Sequence, residues 1–72
     1  MDKENLLISV VIPAFNEEEK IDELYERIVR SLKDFKFEIL FVDDGSTDKT
    51  WEKINNLSEK DRRVKGIKFG KN

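Results

Sequence analysis

Long apolar runs separated by polar segments dominate the pattern of the chain. Leu6–Ile12 is a nearly continuous aliphatic run that stops at Pro13, and such a run predicts a strand covered on both faces, as in parallel sheets. Phe37–Val42 is a second apolar run and predicts a second strand. Val64–Phe69 is shorter and contains Gly66, and we expect a third strand there.

Between these runs, apolar residues recur at helical spacing. The first stripe predicts a helix over roughly Glu17 to Leu32, and Asn16 followed by Glu19 resembles a capping box at its start. The second stripe predicts a helix that ends near Glu59. The stripe positions are Ile21, Leu24, Tyr25, Ile28, Val29 and Leu32 in the first helix, and Trp51, Ile54 and Leu57 in the second.

The order of elements is therefore βαβαβ, which indicates an α/β fold. Because strand-helix-strand crossovers are right-handed in almost all cases, we expect a parallel sheet with strand order 3-2-1 and helices packed on it. No linker or repeat interrupts the 72 residues, so residues 1–72 are predicted to form a single unit, half of a Rossmann-like fold. A domain of this size buries only about 60% of its unfolded surface, so we expect marginal stability.

The composition limits the kinds of partner and of catalytic group that the chain can have. Apolar residues make up 38% and charged residues 42% of the chain, which is typical of a globular protein with a solvated exterior. The formal charge of -2, with both signs interspersed, argues against a nucleic-acid partner. The chain has no cysteine and no histidine, so any chemistry must depend on carboxylates. No apolar stretch approaches the roughly 20 residues that span a bilayer, and a soluble, cytoplasmic location is expected.

Two polar loops follow the first two strands. They are Pro13–Glu17 and Asp43–Ser46, and in open α/β sheets ligands bind at this edge. A purely structural interpretation is that these residues cap the helices and complement their dipoles. Asp43 and Asp44 are harder to explain in that way, because adjacent carboxylates repel each other and a cap needs only one. A ligand or a cation would relieve that cost.

Three known kinds of acidic or phosphate-binding turn can be compared with this spacing. A dinucleotide-binding turn needs glycines after the first strand, and Pro13–Glu17 has none. A haloacid dehalogenase motif needs an aspartate nucleophile at the position that Val42 occupies, so that motif is excluded. A receiver-type acidic pair follows the first strand, whereas Asp43 and Asp44 follow the second. A small α/β regulatory or scaffold module with a Mg-binding acidic turn remains as the alternative function.

Two segments together resemble a known family. Pro-Ala-Phe-Asn-Glu-Glu at 13–18 and Val-Asp-Asp-Gly-Ser-Thr-Asp at 42–48 resemble family 2 glycosyltransferases of the GT-A fold, and the likeness covers nearly the whole chain. Phe37–Asp48 with Asp61–Lys65 looks closest to the branch that charges polyprenyl or dolichyl phosphate with a sugar. The resemblance implies a truncated N-terminal, nucleotide-binding part of an enzyme that transfers a sugar from a nucleoside diphosphate sugar to an acceptor.

The resemblance also implies which residues bind the nucleotide. Asp44 would contact the base, and its carboxylate can only accept hydrogen bonds, which suits the ring N–H of uracil or guanine and disfavours cytosine. Asp43 would hold the turn or a ribose hydroxyl, and Phe15 would either face the base or ribose or belong to the core. The implied nucleotide-binding residues are Pro13, Ala14, Phe15, Glu17, Asp43 and Asp44.

Catalysis is expected to depend on residues outside this chain. Glu17, Glu18 and Glu19 cancel the positive end of the first helix dipole, so the diphosphate must be neutralised elsewhere. The resemblance implies Mg or Mn held by an Asp-x-Asp motif after a later strand, and these residues contain no such triplet. No catalytic residue or metal ligand is assigned here, and the fragment alone is expected to be inactive.

The expected partners follow from the same resemblance. They are a UDP- or GDP-linked sugar and, through C-terminal parts of the parent, the cytoplasmic face of a membrane. A second copy of the chain is a further expected partner. In the resembled fold the first strand pairs with a strand on each side, and here one side is open. An apolar edge without lysine or bulge is a template for pairing, so we expect self-association through the strand Leu6–Ile12 or its adjoining apolar face.

Overall fold

The computed structural model describes residues 6–70. Three parallel strands form one sheet in the order β1-β2-β3, which is the predicted 3-2-1 arrangement seen from the other side, so the predicted α/β topology is confirmed. No helix among the described residues has the length and apolarity to cross a membrane. The elements are β1 (Leu7–Ala14), α1 (Ile21–Ser31), β2 (Lys36–Asp44), α2 (Thr50–Lys60) and β3 (Val64–Phe69).

The hydrophobic core is a single layer between the sheet and the two helices. Phe37, Ile39 and Phe41 of β2 are almost completely buried, because alternate side chains of a strand point to the same face. Ile21 of α1 and Ile54 of α2 are fully buried against them. Both crossovers run in the same direction across the sheet, and with right-handed crossovers this places both helices on one face.

Gly66 explains how α2 reaches the third strand. A Cβ atom at this position would lie 2.6 Å from Cγ2 of Ile54 and 3.0 Å from Cζ3 of Trp51. Both distances are too short for ordinary contacts, so only glycine permits this packing. The glycine that interrupts the third apolar run is therefore a packing requirement of the core.

The opposite face of the sheet is open within residues 6–70. Leu7 and Val11 of β1 are each 59% exposed, and Ile67 of β3 is 40% exposed. The prediction that β1 is covered on both faces is therefore wrong for the described residues. Its burial alternates along the strand because both helices lie on the other side.

The start of α1 also differs from the prediction. The helix begins at Ile21 rather than Glu17, and its N-cap residue, Lys20, makes no side-chain cap hydrogen bond. Asn16 has a left-handed φ of 52°, so the chain turns before the helix begins. The predicted capping box is wrong, because Asn16 makes its hydrogen bonds to a different loop.

A polar cluster joins the elements at the amino-terminal edge of the sheet. The hydroxyl of Tyr25 donates to Oδ2 of Asp61 at 2.6 Å, and Nη2 of Arg63 donates to the same oxygen at 2.8 Å. The guanidinium of Arg63 also lies 4.4 Å from the ring centre of Phe37. Hydrogen bonds from Arg63 hold the pKa of Asp61 well below its usual range. The cluster ties α1 to the turn before β3.

Candidate functional site

The two adjacent aspartates lie at the end of β2, which continues to Asp44, two residues beyond its predicted end. Because successive side chains of a strand point to opposite faces, Asp43 and Asp44 do not face each other. Asp43 is fully buried on the helix side, and Asp44 is exposed on the open side. The strand geometry, rather than a ligand, separates the two carboxylates.

Asp43 holds the turn that follows β2. Its Oδ1 accepts hydrogen bonds from the backbone N–H of Ser46 at 3.0 Å and from the Ser46 hydroxyl at 2.6 Å. Its Oδ2 has no hydrogen-bond partner among the described residues. The Asp43 side chain thus stabilises the turn after β2 from the helix side of the sheet.

Asn16 links the loop after β1 to the loop after β2. Its Oδ1 accepts the backbone N–H groups of Thr47 at 2.8 Å and of Asp48 at 3.3 Å. Its own backbone N–H donates to Oγ of Ser46 at 2.8 Å. Since Ser46 in turn donates to Asp43, a continuous chain of hydrogen bonds runs from the first loop to the end of β2.

A second set of hydrogen bonds reinforces this link. The backbone N–H of Glu17 donates to Oγ1 of Thr50 at 2.8 Å, and that of Lys49 donates to Oε1 of Glu18 at 2.8 Å. Asp48 accepts from Glu18 and from both the backbone and the hydroxyl of Thr50. Desolvation acts to raise the pKa of Asp48, but these hydrogen bonds outweigh it and hold the pKa below its usual range. Glu18 and Asp48 therefore have structural roles.

A cavity of about 490 Å³ lies at the carboxyl edge of the sheet, on its open side. The structure brings five of the six predicted nucleotide-binding residues together there, and Asp43, buried on the other face, does not line it. Phe15, whose role the sequence left open, is 55% exposed. The cavity is lined by Pro13, Ala14, Phe15, Glu17, Val42, Asp44 and Phe69.

Sequence reasoning missed two of these lining residues, Val42 and Phe69. Phe69 ends β3 and lies beside Asp44 in the strand register. The signal was available in principle, because the ends of adjacent parallel strands meet at one edge of a sheet, and Phe69 is the last residue of the third apolar run.

A second cleft, of about 430 Å³, lies over the turn before α1. It is lined by Asn16, Asp48 and the segment 17–20, and it has no aromatic residue. Its carboxylates would repel a phosphate, so the aromatic-lined cavity is the better candidate for a nucleotide. Within residues 6–70, no group of three or more Asp, Glu, His or Cys side chains is arranged to hold a metal ion.

Comparison with known proteins adds the family. The model of glycosyl transferase family 2 matches residues 9–72. A dolichol-phosphate mannosyltransferase of Pyrococcus furiosus is 49% identical over 53 residues, which cover 74% of this chain and 15% of that protein. A bactoprenol glucosyl transferase of Shigella phage SfV is 42% identical over 67 residues, covering 90% of this chain and 22% of that protein.

These relatives agree with the residues that suggested the family. The chain spans only 15% and 22% of their lengths, so the comparison applies to one part of each. The family match over residues 9–72 contains both linked loops and every residue that lines the cavity. The chain belongs to glycosyl transferase family 2.

Proposed function

We propose that this chain, as a single unit, forms the donor-nucleotide-binding part of a glycosyltransferase. The intact parent would transfer a sugar from a nucleoside diphosphate sugar to polyprenyl phosphate at the cytoplasmic face of a membrane. The cavity between Phe15, Asp44 and Phe69 is the observation that carries the proposal. The acceptor is inferred from the relatives named for dolichol phosphate and bactoprenol.

The chemistry of the cavity suits a nucleobase with a ring N–H. The carboxylate of Asp44 can only accept hydrogen bonds, and both uracil and guanine offer a ring donor at the pairing edge. Cytosine presents an acceptor at that position and would leave two acceptors facing each other. Pro13 and Phe15 supply apolar wall on one side of the cavity, and Glu17 supplies an acceptor for a ribose hydroxyl.

The diphosphate requires a positive charge from elsewhere. Glycosyl transferase family 2 generally uses divalent metal ions, and a metal acts as a Lewis acid for the departing nucleoside diphosphate. The described residues contain no cluster of three or more side chains that could hold a metal ion, and Glu17–Glu19 make the nearby loop acidic. We therefore assign no metal-dependent step to this chain, and place the Mg or Mn ligands and the acceptor-activating base in other parts of the parent.

Nucleotide titrations test the proposal. UDP, GDP and CDP, which share the diphosphate, would be titrated into the 72-residue protein while amide NMR shifts are followed. We expect UDP or GDP to bind about tenfold more tightly than CDP, which corresponds to one hydrogen bond of roughly 1.4 kcal/mol. Asp44→Asn should reduce this preference, because an amide can also donate to cytosine.

The control variant is Asp34→Asn, which removes an exposed carboxylate at the opposite edge of the sheet. It should leave the preference unchanged. Equal binding of all three nucleotides by the wild-type protein would contradict the proposal. Magnesium binding without any nucleotide preference would instead support the regulatory or scaffold module.

We also propose that the isolated chain self-associates through β1. Within residues 6–70 only one side of β1 is paired, and the strand Leu7–Ala14 carries no charge. The other edge strand, β3, is protected by Lys65 and Lys68. Val11→Lys should therefore reduce the sedimentation mass, whereas Ile67→Lys on the same sheet face should not. A wild-type mass of 8.5 kDa at all concentrations would contradict the idea.

A further inference from the structure

Three consecutive strand ends place an aromatic ring, a carboxylate and a second aromatic ring along one edge of the sheet. Phe15 follows β1, Asp44 ends β2 and Phe69 ends β3. Asp44 and Phe69 are partners in the strand register, and all three residues line the same cavity. The two rings are 55% and 54% exposed, although most phenylalanine side chains in folded proteins are buried.

The position of Phe69 is fixed by the turn that follows it. Gly70 has a φ of 93°, which side chains other than glycine rarely adopt, and a Cβ atom there would lie 3.2 Å from Cα of Gly45. The turns after β2 and β3 are therefore in direct backbone contact. This contact and the strand register hold the last residue of β3 beside Asp44, at the edge of the cavity.

An exposed ring beside a carboxylate suits a planar ligand that has an apolar face and a polar edge. A nucleobase has both, and aromatic side chains stack on any base because every base has a π face. Stacking therefore gives affinity with little selectivity, whereas a hydrogen-bond acceptor selects among bases. Phe69 and Asp44, side by side in the register, are placed to divide these two tasks.

We propose that Phe69 is a base-binding residue that stacks on the nucleobase in this cavity. The inference rests on the proposed function and adds a residue from β3 to a site otherwise built by the ends of β1 and β2 and the loop after β1. It also makes β3 part of the binding site, so that all three strands contribute. If Phe69 only shields the open sheet face, its removal would affect stability and leave base binding unchanged.

The experiment compares Phe69→Ala, Phe69→Tyr and the control Phe35→Ala, using UDP and ribose 5-phosphate as probes. Phe35 precedes β2 and is 37% exposed at the opposite edge of the sheet. Phe69→Ala should weaken UDP binding about tenfold, as expected for the loss of one stacked base. Phe69→Tyr should restore it, and Phe35→Ala should leave it unchanged. Binding of ribose 5-phosphate, which has no base, should be the same in all variants.

Ring-labelled phenylalanine gives a second readout that does not require the alanine variant to fold. The Phe69 ring protons should shift upfield on saturation with UDP and stay in place with ribose 5-phosphate. An unshifted ring, or unchanged UDP affinity in Phe69→Ala, would overturn the stacking role while the selectivity that depends on Asp44 still stood. A wild-type protein that binds no nucleotide would overturn both proposals.

Discussion

Asn16 offers the sharpest test of how the site is held together. Asn16→Ala removes the two backbone hydrogen bonds that Oδ1 accepts from Thr47 and Asp48, worth about 0.5–1.5 kcal/mol each, and a longer one of 3.4 Å from the Thr47 hydroxyl. It also places an alanine at a left-handed φ of 52°, which costs roughly 1–2 kcal/mol. Since Asn16 is solvent-exposed, we expect the lower part of these ranges, a loss of about 2–3 kcal/mol.

Two further substitutions separate the side chain from the backbone. Asn16→Gly loses the same hydrogen bonds but adopts the left-handed conformation without strain. Glycine also has a greater entropy in the unfolded state, which offsets part of that advantage, so the glycine variant should be about 0.5–1 kcal/mol more stable than the alanine variant. Asn16→Asp keeps an oxygen at the same place and should stay within about 0.5 kcal/mol of the wild type. The order of stability is therefore wild type and aspartate, then glycine, then alanine.

Urea denaturation followed by circular dichroism measures these differences, and hydrogen exchange of the Thr47 and Asp48 amides reports the local bonds. A domain of 72 residues has a total stability of roughly 4–11 kcal/mol, so a loss of 2–3 kcal/mol is easily measured. Asn16 does not line the aromatic cavity, yet Asn16→Ala should weaken UDP binding by loosening its walls. An alanine variant as stable as the wild type, or an aspartate variant as unstable as alanine, would refute the idea that the Asn16 side chain holds the two loops together.

Three other outcomes are expected. Gly66→Ala should lower the free energy of unfolding measured in urea by about 1–3 kcal/mol, because its Cβ would overlap Ile54, whereas the exposed control Lys65→Ala should not. The pKa of Asp61 is lowered in the folded protein, so its carboxylate stabilises the fold above the unfolded pKa of about 3.9, and this stabilisation is lost as pH falls from there towards the folded pKa. The urea midpoint should therefore fall more between neutral and acid pH for the wild type than for Asp61→Asn. Thermal unfolding should show Asp43→Ala less stable by about 1.5–3 kcal/mol, since its buried carboxylate holds the turn.

The fold was predictable because its signals are local. Each apolar run and each helical stripe identifies one element, and right-handed crossovers then leave a single simple topology. The predicted bounds of β3, Val64–Phe69, are those observed. The positions of the two polar loops were predictable for the same reason, since both follow strands and therefore lie at the carboxyl edge of the sheet.

The details of the site were not predictable because tertiary contacts decide them. Asn16 has the sequence of a helix cap, but the N–H groups it binds belong to residues about thirty positions away. Asp43 and Asp44 are turn-forming residues, but pairing with Ala14 on one side and Phe69 on the other keeps them in β2. Local propensity favoured one answer in each case, and contacts between strands favoured another.

The extension of β2 gives the two aspartates different surroundings. The strand places Asp43 beneath the sheet, where its buried carboxylate fixes the turn, and Asp44 above it, in the proposed binding cavity. A one-residue shift of register would exchange the two faces and would place each carboxylate where the other is needed. The pairing of β2 with both neighbours therefore determines the site as well as the fold, because it decides which aspartate lines the cavity proposed for the nucleotide.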